Sequence, residues 1–400
     1  MTETTESKKS ELLRFAERQL KEVILPFWSG DMVDEMHGGF VSQVDHYGRK
    51  QSDQPKGIIL NARILWAFSA VFNAFKDPRY LELADRAFHY LQENFLDSEH
   101  PGYVWSIHPD GTFHNDKKQI YAQAFVMYAL AEYTNITGDE QVLNTAFRLF
   151  DLIEEKSFDR MKNGYLEAFS RNWKEIGDLR LSELDMNEKK TMNTHLHIIE
   201  AYTRLYSLQP EPRLKDKIQN LIHVFQHHIM QEDHHLGLFF DEDWDLKSDD
   251  ISFGHDIEAS WLLHESALCV GDDNLIEGVS ALSVNIAKAV LPAITTKGGL
   301  IHEGNRRTSH ISGELEWWAQ AEAVVAFINV FKLTHDNIWL DRAMGSSRYI
   351  DRYFTDHVNG EWYYRVDEKG NPIPTYEKAG FWKCPYHNTR MCLEVMKRLG

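Results

Sequence analysis

His387, near the end of the chain, is the residue whose surroundings most suggest chemistry. It lies in the stretch FWKCPYHNTR, between a Cys-Pro pair and the polar run Asn-Thr-Arg. Three interpretations compete: half of a metal site with Cys384, a buried structural histidine, or a catalytic base. The C-x-x-H spacing suits a metal, but Pro385 predicts a helix that begins between the two residues. Zinc sites need three or four ligands, and the sequence supplies no matching Cys or His pair close by, so we expect no metal here.

Two further motifs place histidines on predicted helices. In GHDIEASWLL, His255 and Glu258 are three residues apart and therefore share a helix face. In MNTHLHII, His195 and His197 point to different faces, so at most one of them can face a shared site. Each motif also has a structural interpretation, because a His–Glu pair on a helix is commonly a satisfied hydrogen bond. Whether these histidines are structural or functional depends on where the fold places their helices.

A short strand-like signal around a glycine recurs six times along the chain. It reads HGGFVSQV, PGYVWSI, NGYLEAF, LGLFFDE, GGLIHEG and NGEWYYRV. Its glycines are Gly39, Gly102, Gly164, Gly237, Gly299 and Gly360. Subtracting consecutive positions gives spacings of 63, 62, 73, 62 and 61 residues, which indicates six structural repeats. The long interval contains RNWKEIGDLRLSELDMNEKK, residues 171–190, which we interpret as an inserted loop.

Each interval contains two predicted helices of different character. Residues 80–95 have apolar side chains on one face only, whereas residues 59–75 and 314–331 are apolar nearly all round and must be enclosed by other helices. Six enclosed helices alternating with six half-exposed ones predict an all-α fold, an (α/α)6 barrel with short β-hairpins in the connections. An open solenoid has the same repeats, but neither end resembles a cap, which favours closure. We expect one domain over residues 1–400, with residues 1–8 as a disordered tail.

The polar and aromatic residues of the enclosed helices share a position in the repeat. They fall near the N-terminal end of each inner helix, and in a barrel these six ends surround one mouth. Because arginine and histidine are costly to bury without partners, their convergence predicts a ligand site. The residues are Arg63, Tyr121, Asn193, His197, His255, Trp317, Trp318 and His387.

The composition narrows the classes of ligand and location. The chain has 400 residues and a formal net charge of −18, which argues against nucleic acid and anionic membranes and favours a neutral ligand. The polar start MTETTESKKS lacks a secretion signal, no apolar run reaches membrane-spanning length, and three cysteines are too few for a disulfide framework. We therefore expect a cytoplasmic protein. We also expect it to be a monomer or a weak homodimer.

Aromatic faces surrounded by Arg, Asn, Asp and Glu are typical of sugar sites. Two reactions on a neutral sugar are compatible with these residue types. Glycoside hydrolysis needs two carboxylates that flank the scissile bond. The candidates for them are Asp185, Glu258, Glu314 and Glu316. The predicted mouth is dominated by histidine, however, which favours the second reaction.

That second reaction is proton transfer next to a sugar carbonyl. Ring opening exposes an aldehyde, and a neutral histidine can then remove the hydrogen from C2. Inversion needs a proton delivered to the opposite face, which two bases across the substrate achieve. His255 and His387 lie on different predicted inner helices and fit these roles, while Arg63 and the helix N-termini can stabilise the enediolate. A non-catalytic sugar-binding protein is the alternative from another class.

Several segments together resemble the N-acylglucosamine 2-epimerase superfamily, and within it the cellobiose 2-epimerases. They are ILNARILW, KKTMNTHLHIIEAY, SFGHDIEASWLL, EWWAQAEAVVAF and FWKCPYHNTRMCLE, and the likeness runs from about residue 20 to the C-terminus. The resemblance implies an (α/α)6 barrel and catalysis without a metal or nucleotide cofactor. It also implies that His387 and His255 are the acid/base residues, that His197 assists ring opening, and that Arg63 binds the carbonyl or enediolate oxygen.

The same resemblance implies which residues contact the substrate. Those that would line the sugar site are Tyr121, Asn193, Asp185, Glu258 and Trp318. Trp382 matches the aromatic residue that stacks on the second sugar of a disaccharide. Together with the loop RLSELDMNEKK, Trp382 favours an enzyme that epimerises the reducing end of a β-1,4 disaccharide. Mannose 2-epimerases, aldose–ketose isomerases and N-acylglucosamine 2-epimerases share the histidine pair, so these activities are the alternatives.

Overall fold

The helices of the chain form two concentric rings, which the computed structural model describes for residues 4–400. The inner ring consists of α2 Ile58–Phe75, α4 Ile120–Thr137, α6 Met192–Leu208, α8 Phe253–Val270, α10 Trp317–Thr334 and α12 Tyr386–Leu399. The outer ring consists of α1 Thr5–Arg18, α3 Pro78–Asn94, α5 Glu140–Lys156, α7 Pro212–Val224, α9 Asp273–Val290 and α11 Asn337–Tyr349.

The inner ring is closed. Each inner helix contacts the next in the order α2, α4, α6, α8, α10 and α12, and α12 contacts α2 in turn. The outer helices pack on this ring in the same order, with α1 against α12. The predicted (α/α)6 barrel is therefore confirmed, and an open solenoid is excluded because its two end helices would not meet.

The turns between inner and outer helices have a common chemistry that the sequence displays. Four inner helices end in a residue with left-handed backbone, and an aspartate directly after it accepts a hydrogen bond from the first turn of the next outer helix. The end residues are Lys76, Gly138, Gly271 and His335. The caps are Asp77, Asp139, Asp272 and Asp336. These short corners hold each pair of helices antiparallel.

Short antiparallel strands connect the repeats around the N-terminal ends of the inner helices. The strands are β1 Gln43–Val44, β2 Lys50–Gln51, β3 Lys56–Gly57, β4 Ser106–Ile107, β5 Phe113–Asn115, β6 Lys118–Gln119, β7 Ala168–Phe169, β8 Lys190–Thr191, β9 Phe239–Phe240, β10 Asp250–Ser252, β11 Glu303–Asn305, β12 His310–Ile311, β13 Leu315–Glu316 and β14 Arg365–Val366. Five of them, β3, β6, β8, β10 and β13, directly precede an inner helix and pair with a strand of the next repeat. The small sheets therefore join neighbouring repeats at the mouth.

The repeated glycine signal has a structural cause. In several repeats the backbone N–H beside the glycine donates to the side chain of the fourth residue of the following inner helix. Tyr103 donates to Gln123 Oε1 and Tyr165 donates to His195 Nε2, each at 2.9 Å. Gly164 has φ +81°, and a Cβ there would lie 2.8 Å from that histidine nitrogen. His195 is thus a structural residue, and His197 is the member of the pair that faces the mouth.

The prediction of a disordered tail over residues 1–8 is wrong for most of its length. Helix α1 begins directly after Thr4, whose side chain caps it, and Lys8 forms an ion pair with Asp341 of α11. These contacts fix the start of the chain against the outer ring. Residues 1–3 lie outside the described residues.

The predicted helix ranges differ from the observed ones at their ends. The range 80–95 corresponds to α3 and the range 59–75 to α2, each within two residues at either end. The range 314–331 starts three residues before α10, because Leu315 pairs as a strand with Val366 and so extends the backbone there. These differences at the helix ends do not change which side chains of each helix belong to its apolar face.

Two helical segments are long and apolar enough to cross a membrane by length and composition, Ile58–Phe75 and Asp273–Ala293. The first is α2, which lies in the inner ring with 78% of its residues buried, so its place in the core accounts for its apolar character. The second is α9 with its short extension, which packs on α8 and is 28% buried. The expectation that the protein has no membrane partner stays a prediction.

Candidate active site

A cavity of about 220 Å³ lies at the N-terminal ends of the inner helices. All ten site residues predicted from the sequence line it: Arg63, Tyr121, Asp185, Asn193, His197, His255, Glu258, Trp318, Trp382 and His387. The shared position in the repeat therefore becomes a shared position in space. The roles assigned to these residues stay predictions.

His387 is the second residue of α12 and is backed by a carboxylate. Its Nδ1 lies 2.7 Å from Glu322 Oε1. Because a carboxylate only accepts, Nδ1 carries the proton and Nε2 is left with a free lone pair. Burial, together with the positive charges of Arg63 and Arg390, holds the pKa of His387 well below its usual range. The side chain is therefore neutral at pH 7 and can act as a base.

His255 has a different partner, the hydroxyl of Ser252, which caps α8. Its Nδ1 lies 2.7 Å from Ser252 Oγ. Burial and the nearby His302 lower the pKa of His255 well below its usual range, so it too is neutral at pH 7. The Trp318 ring contacts both imidazoles, with centroids 4.6 Å from His255 and 5.5 Å from His387. One aromatic side chain thus positions both histidines.

Arg63 and His197 form a second cluster with Tyr121. Arg63 Nη2 donates to the Tyr121 hydroxyl at 2.8 Å, and its Nε is buried without a hydrogen-bond partner in residues 4–400. His197 Nδ1 donates to Glu200 Oε2 at 2.9 Å, and its ring packs on Tyr121 at 5.0 Å. A guanidinium, an imidazole and a phenol are therefore held together at the wall of the cavity.

Behind the histidines lies a buried ionic network that the sequence patterns did not reveal. Arg390 Nη2 donates to Glu258 Oε1 and to Glu322 Oε1, each at 2.6 Å, and Nη1 contacts Glu200. Burial and the neighbouring Glu322 carboxylate raise the pKa of Glu258 to about 8. The sequence did contain one signal for this network, namely charged residues on inner helices that have no polar face. The network links His387 to His197 through Glu322, Arg390 and Glu200, and Glu258 joins it at Arg390.

Three side chains of this network have the spacing of a metal site. Ligand atoms of Glu258, Glu322 and His387 lie within 4.8 Å of one another. The space between the two carboxylates is taken by the guanidinium of Arg390, which donates to both. The positive charge between these two carboxylates is therefore the guanidinium of Arg390. Cys384 belongs to no such cluster in the described part of the chain, and its Sγ lies 3.8 Å from Arg63 Nη1.

The inserted loop forms one wall of the cavity. Asp185 accepts hydrogen bonds from the backbone N–H and the hydroxyl of Ser182, at 2.8 and 3.0 Å, and burial raises its pKa. Gln119 Nε2 donates to the carbonyl of Arg180 at 2.8 Å and so fastens the loop to the strand before α4. Leu184 at the tip is 92% exposed although it lines the cavity. The loop thus places a polar side chain at the mouth and an apolar one at the entrance.

The structure adds His302 to the site, a residue that was not assigned to it from the sequence. His302 lies 3.0 Å from Glu303 and 3.7 Å from Glu316, and although burial opposes it, these carboxylates raise its pKa. Glu316 Oε2 accepts from Trp318 Nε1 at 2.6 Å, while its Oε1 accepts from Arg365 Nε at 2.6 Å. The Glu316 carboxylate therefore orients the Trp318 ring. His302 lies in the fifth glycine signal, GGLIHEG, which was interpreted only as a hairpin.

The chain matches known proteins along almost all of its length. Residues 38–390 match the N-acylglucosamine 2-epimerase (GlcNAc 2-epimerase) family. The cellobiose 2-epimerase of Bacteroides fragilis is 46% identical over 95% of this chain and 97% of its own length, and that of Dictyoglomus turgidum is 36% identical over the same shares. The solved structure of the cellobiose 2-epimerase from Spirochaeta thermophila superposes with a TM-score of 0.94 at 40% identity, covering 100% of this chain and 99% of that one. The chain therefore belongs to the N-acylglucosamine 2-epimerase family.

Proposed function

We propose that this sugar 2-epimerase acts on the reducing-end residue of a β-1,4-linked disaccharide and interconverts its glucose and mannose configurations. The observation that carries the proposal is the pair of neutral, buried histidines in one cavity, His387 backed by Glu322 and His255 backed by Ser252. Relatives that are 46% and 36% identical are cellobiose 2-epimerases, which supports the disaccharide.

The proposed mechanism uses the free nitrogen of each histidine. His197 and Arg63 bind the oxygens of the opened aldehyde, and Nε2 of His387 accepts the proton from C2. The C2–H electrons move into a C1–C2 double bond, and the charge on the oxygen is stabilised by the Arg63 guanidinium. His255, which takes up a proton from solvent at Nε2 before the step, then delivers that proton to the opposite face of C2, which restores the aldehyde with inverted configuration and leaves the proton taken from C2 on His387. In the reverse direction the two histidines exchange roles, so no oxidant or reductant is consumed.

Trp382 is proposed to bind the second sugar, which distinguishes the disaccharide from a monosaccharide. Its ring packs on Trp105 and Tyr121, with centroids 5.9 and 6.0 Å away, at the edge of the cavity. We expect Trp382→Ala to raise KM for cellobiose about tenfold, the loss of one stacking contact, and to leave KM for mannose unchanged. Trp382→Phe, which keeps an aromatic face, should recover most of the affinity. Equal losses for both sugars would contradict the assignment.

A mannose 2-epimerase is the second candidate, and the size of the cavity favours it. A volume of about 220 Å³ lies below the usual range for ligand pockets, and Leu184 of the inserted loop lies at the mouth; a neighbouring cavity of about 510 Å³ shares Asp185, Asn193 and His255 with it. In that case cellobiose is turned over slowly by every variant, and Trp382→Ala affects neither sugar.

We also propose that the reaction needs no metal ion, since Arg390 neutralises the carboxylates that would bind one. Dialysis against EDTA should leave kcat within about twofold of the untreated enzyme, the scatter of such a comparison, because no step passes through a Lewis acid. The measurement is the epimerisation rate before and after dialysis and after addition of Mg²⁺, Mn²⁺ or Zn²⁺. Loss of activity that a divalent ion restores would overturn this part of the proposal.

The deciding experiment is proton NMR of the purified protein in D2O, with cellobiose in one tube and mannose in another. Loss of the C2 proton signal as the 2-epimer accumulates is the expected result, and the faster tube identifies the substrate. A ketose product would mean delivery of the proton to C1 and an isomerase. New monosaccharides from cellobiose would mean a hydrolase. Binding without exchange would leave a sugar-binding protein.

A further inference from the structure

A second, larger cavity lies at the opposite end of the barrel. Its volume is about 640 Å³, and it is enclosed by the C-terminal halves of α2, α4, α6, α8 and α12. The helix ends that surround it belong to the same inner ring whose N-terminal ends form the active site. None of the residues that contact the sugar in the proposed reaction lines this second cavity.

One wall of the second cavity is aromatic. Trp66 of α2 and Tyr128 of α4 stack with ring centroids 5.5 Å apart and an interplanar angle of 16°. Trp261 of α8 contributes a further indole. Trp66 Nε1 is buried without a hydrogen-bond partner among residues 4–400, and Tyr128 lines the cavity beside it. A buried indole N–H without an acceptor, beside stacked rings, is the lining expected where a ligand supplies the missing partner.

The polar side chains of this cavity offer both acceptors and donors. Glu132 Oε2 accepts from Arg204 Nε at 2.7 Å, which leaves Arg204 Nη2 without a protein partner in the described residues. Thr203 Oγ1 donates to Ser266 Oγ at 2.9 Å, so a hydroxyl pair lies nearby. Aromatic faces combined with carboxylate, guanidinium and hydroxyl groups suit the C–H faces and hydroxyls of a saccharide.

The electrostatics of the cavity select against anions. Four glutamates and three basic residues line it, and the negative ends of the inner-helix dipoles point toward it. The glutamates are Glu132, Glu200, Glu265 and Glu394, and the basic residues are Arg204, Arg390 and Lys397. The net negative charge of this lining would repel a sugar phosphate but not a neutral saccharide.

Glu200 and Arg390 form the partition between the two cavities. Both line the second cavity, and both reach the active site: Glu200 accepts from His197 Nδ1 at 2.9 Å, and Arg390 donates to Glu258 at 2.6 Å. We propose that the second cavity is a binding site for a neutral saccharide, separate from the catalytic site, and that its occupancy changes the turnover rate through this partition. The binding stands on the cavity alone, whereas the effect on turnover rests on the proposed function.

Cys269 provides a reporter of occupancy, because it lines the second cavity and is partly exposed while Cys384 and Cys392 are fully buried. The experiment measures the rate at which N-ethylmaleimide alkylates the full-length protein, with trehalose, cellobiose or glucose 6-phosphate present. Trehalose is non-reducing and cannot be epimerised. We expect trehalose and cellobiose to slow alkylation at least about fivefold at saturation, since a bound sugar covers the thiol, and glucose 6-phosphate to have little effect.

Variants separate this site from the catalytic one. Protection should persist in His387→Asn and weaken in Tyr128→Phe. It should disappear in Ala74→Trp, because the indole fills the rim of the cavity from an exposed helix position. Trehalose should also change kcat in the wild type but not in Ala74→Trp, whereas competition at the active site would alter KM alone. Absence of protection by any neutral sugar, or protection that survives Ala74→Trp, would overturn the saccharide site. Protection with an unchanged kcat would overturn only the coupling.

Discussion

Replacing either histidine, in His387→Asn or His255→Asn, should reduce epimerisation at least about 1,000-fold, within the range typical for loss of a general acid or base. Asparagine fills a similar volume but cannot accept a proton at this pH. A two-base mechanism makes a more specific prediction. Each single variant retains one working base, so it should still exchange the C2 hydrogen with solvent in one epimer and not in the other, without inversion. NMR in D2O, begun separately from the glucose and the mannose epimer, measures this.

The control for this prediction is His264→Gln. His264 lies on the same helix as His255 and is also buried, but its Nδ1 contacts Asn329 Oδ1 at 3.2 Å, and it does not line the candidate active site. We expect its kcat to stay within about threefold of the wild type, as for a structural histidine. The same single epimer exchanging in His387→Asn and His255→Asn, or a loss below about tenfold in either, would be incompatible with two opposed histidines.

The parts of the fold that could be predicted from the sequence depend on local and periodic contacts. The glycine spacing indicated the number of repeats because four of the glycine hairpins are held by the fourth residue of the next inner helix, as Tyr103 is by Gln123. The ten mouth residues could be placed because they lie within the first two turns of inner helices or in segments adjoining them. Counting along such helices gives the end of the barrel that a side chain faces.

The residues behind the histidines could not be predicted in this way, because their partners are distant in the sequence. Arg390 contacts Glu200, which is 190 positions earlier, and Glu258, which is 132 positions earlier. No spacing rule relates such residues, and only closure of the ring brings them together. The error in the N-terminal tail has the same origin, since Lys8 finds its partner Asp341 on the last outer helix. Polar sequence alone suggested disorder where a distant contact fixes a helix.

The network around Arg390 leads to the largest expected effect on stability. Arg390→Met keeps the volume of the side chain but removes the charge that neutralises Glu200, Glu258 and Glu322. Breaking a buried ion pair by removing one partner costs about 3–5 kcal/mol, because the remaining charges are left uncompensated. We expect a loss of this size in the free energy of unfolding, measured by urea denaturation at pH 8, together with loss of activity as Glu322 ceases to orient His387.

The pH dependence of this loss distinguishes uncompensated charge from poor packing. The pKa of Glu258 is raised to about 8 with Arg390 present, and removal of the cation raises it further. A carboxyl group whose pKa is raised in the folded state adds stability below its unfolded pKa of about 4.5 and loses it as the pH rises through the folded value. The deficit of Arg390→Met should therefore be largest above pH 8 and shrink as the pH falls.

Arg398→Met is the matched control for the Arg390 variant. Arg398 lies on the same helix and donates to Glu265 at 2.6 Å and to Glu394 at 2.8 Å, but Glu265 is one-third exposed. Water can solvate that carboxylate when its partner is removed, so we expect a cost of about 1 kcal/mol, as for a partly exposed ion pair. Equal deficits in the two variants, or a deficit in Arg390→Met that does not change with pH, would mean that Arg390 stabilises the barrel by packing. The larger, pH-dependent deficit is expected because Arg390 is the cation shared by three buried carboxylates, two of which hold His387 and His197.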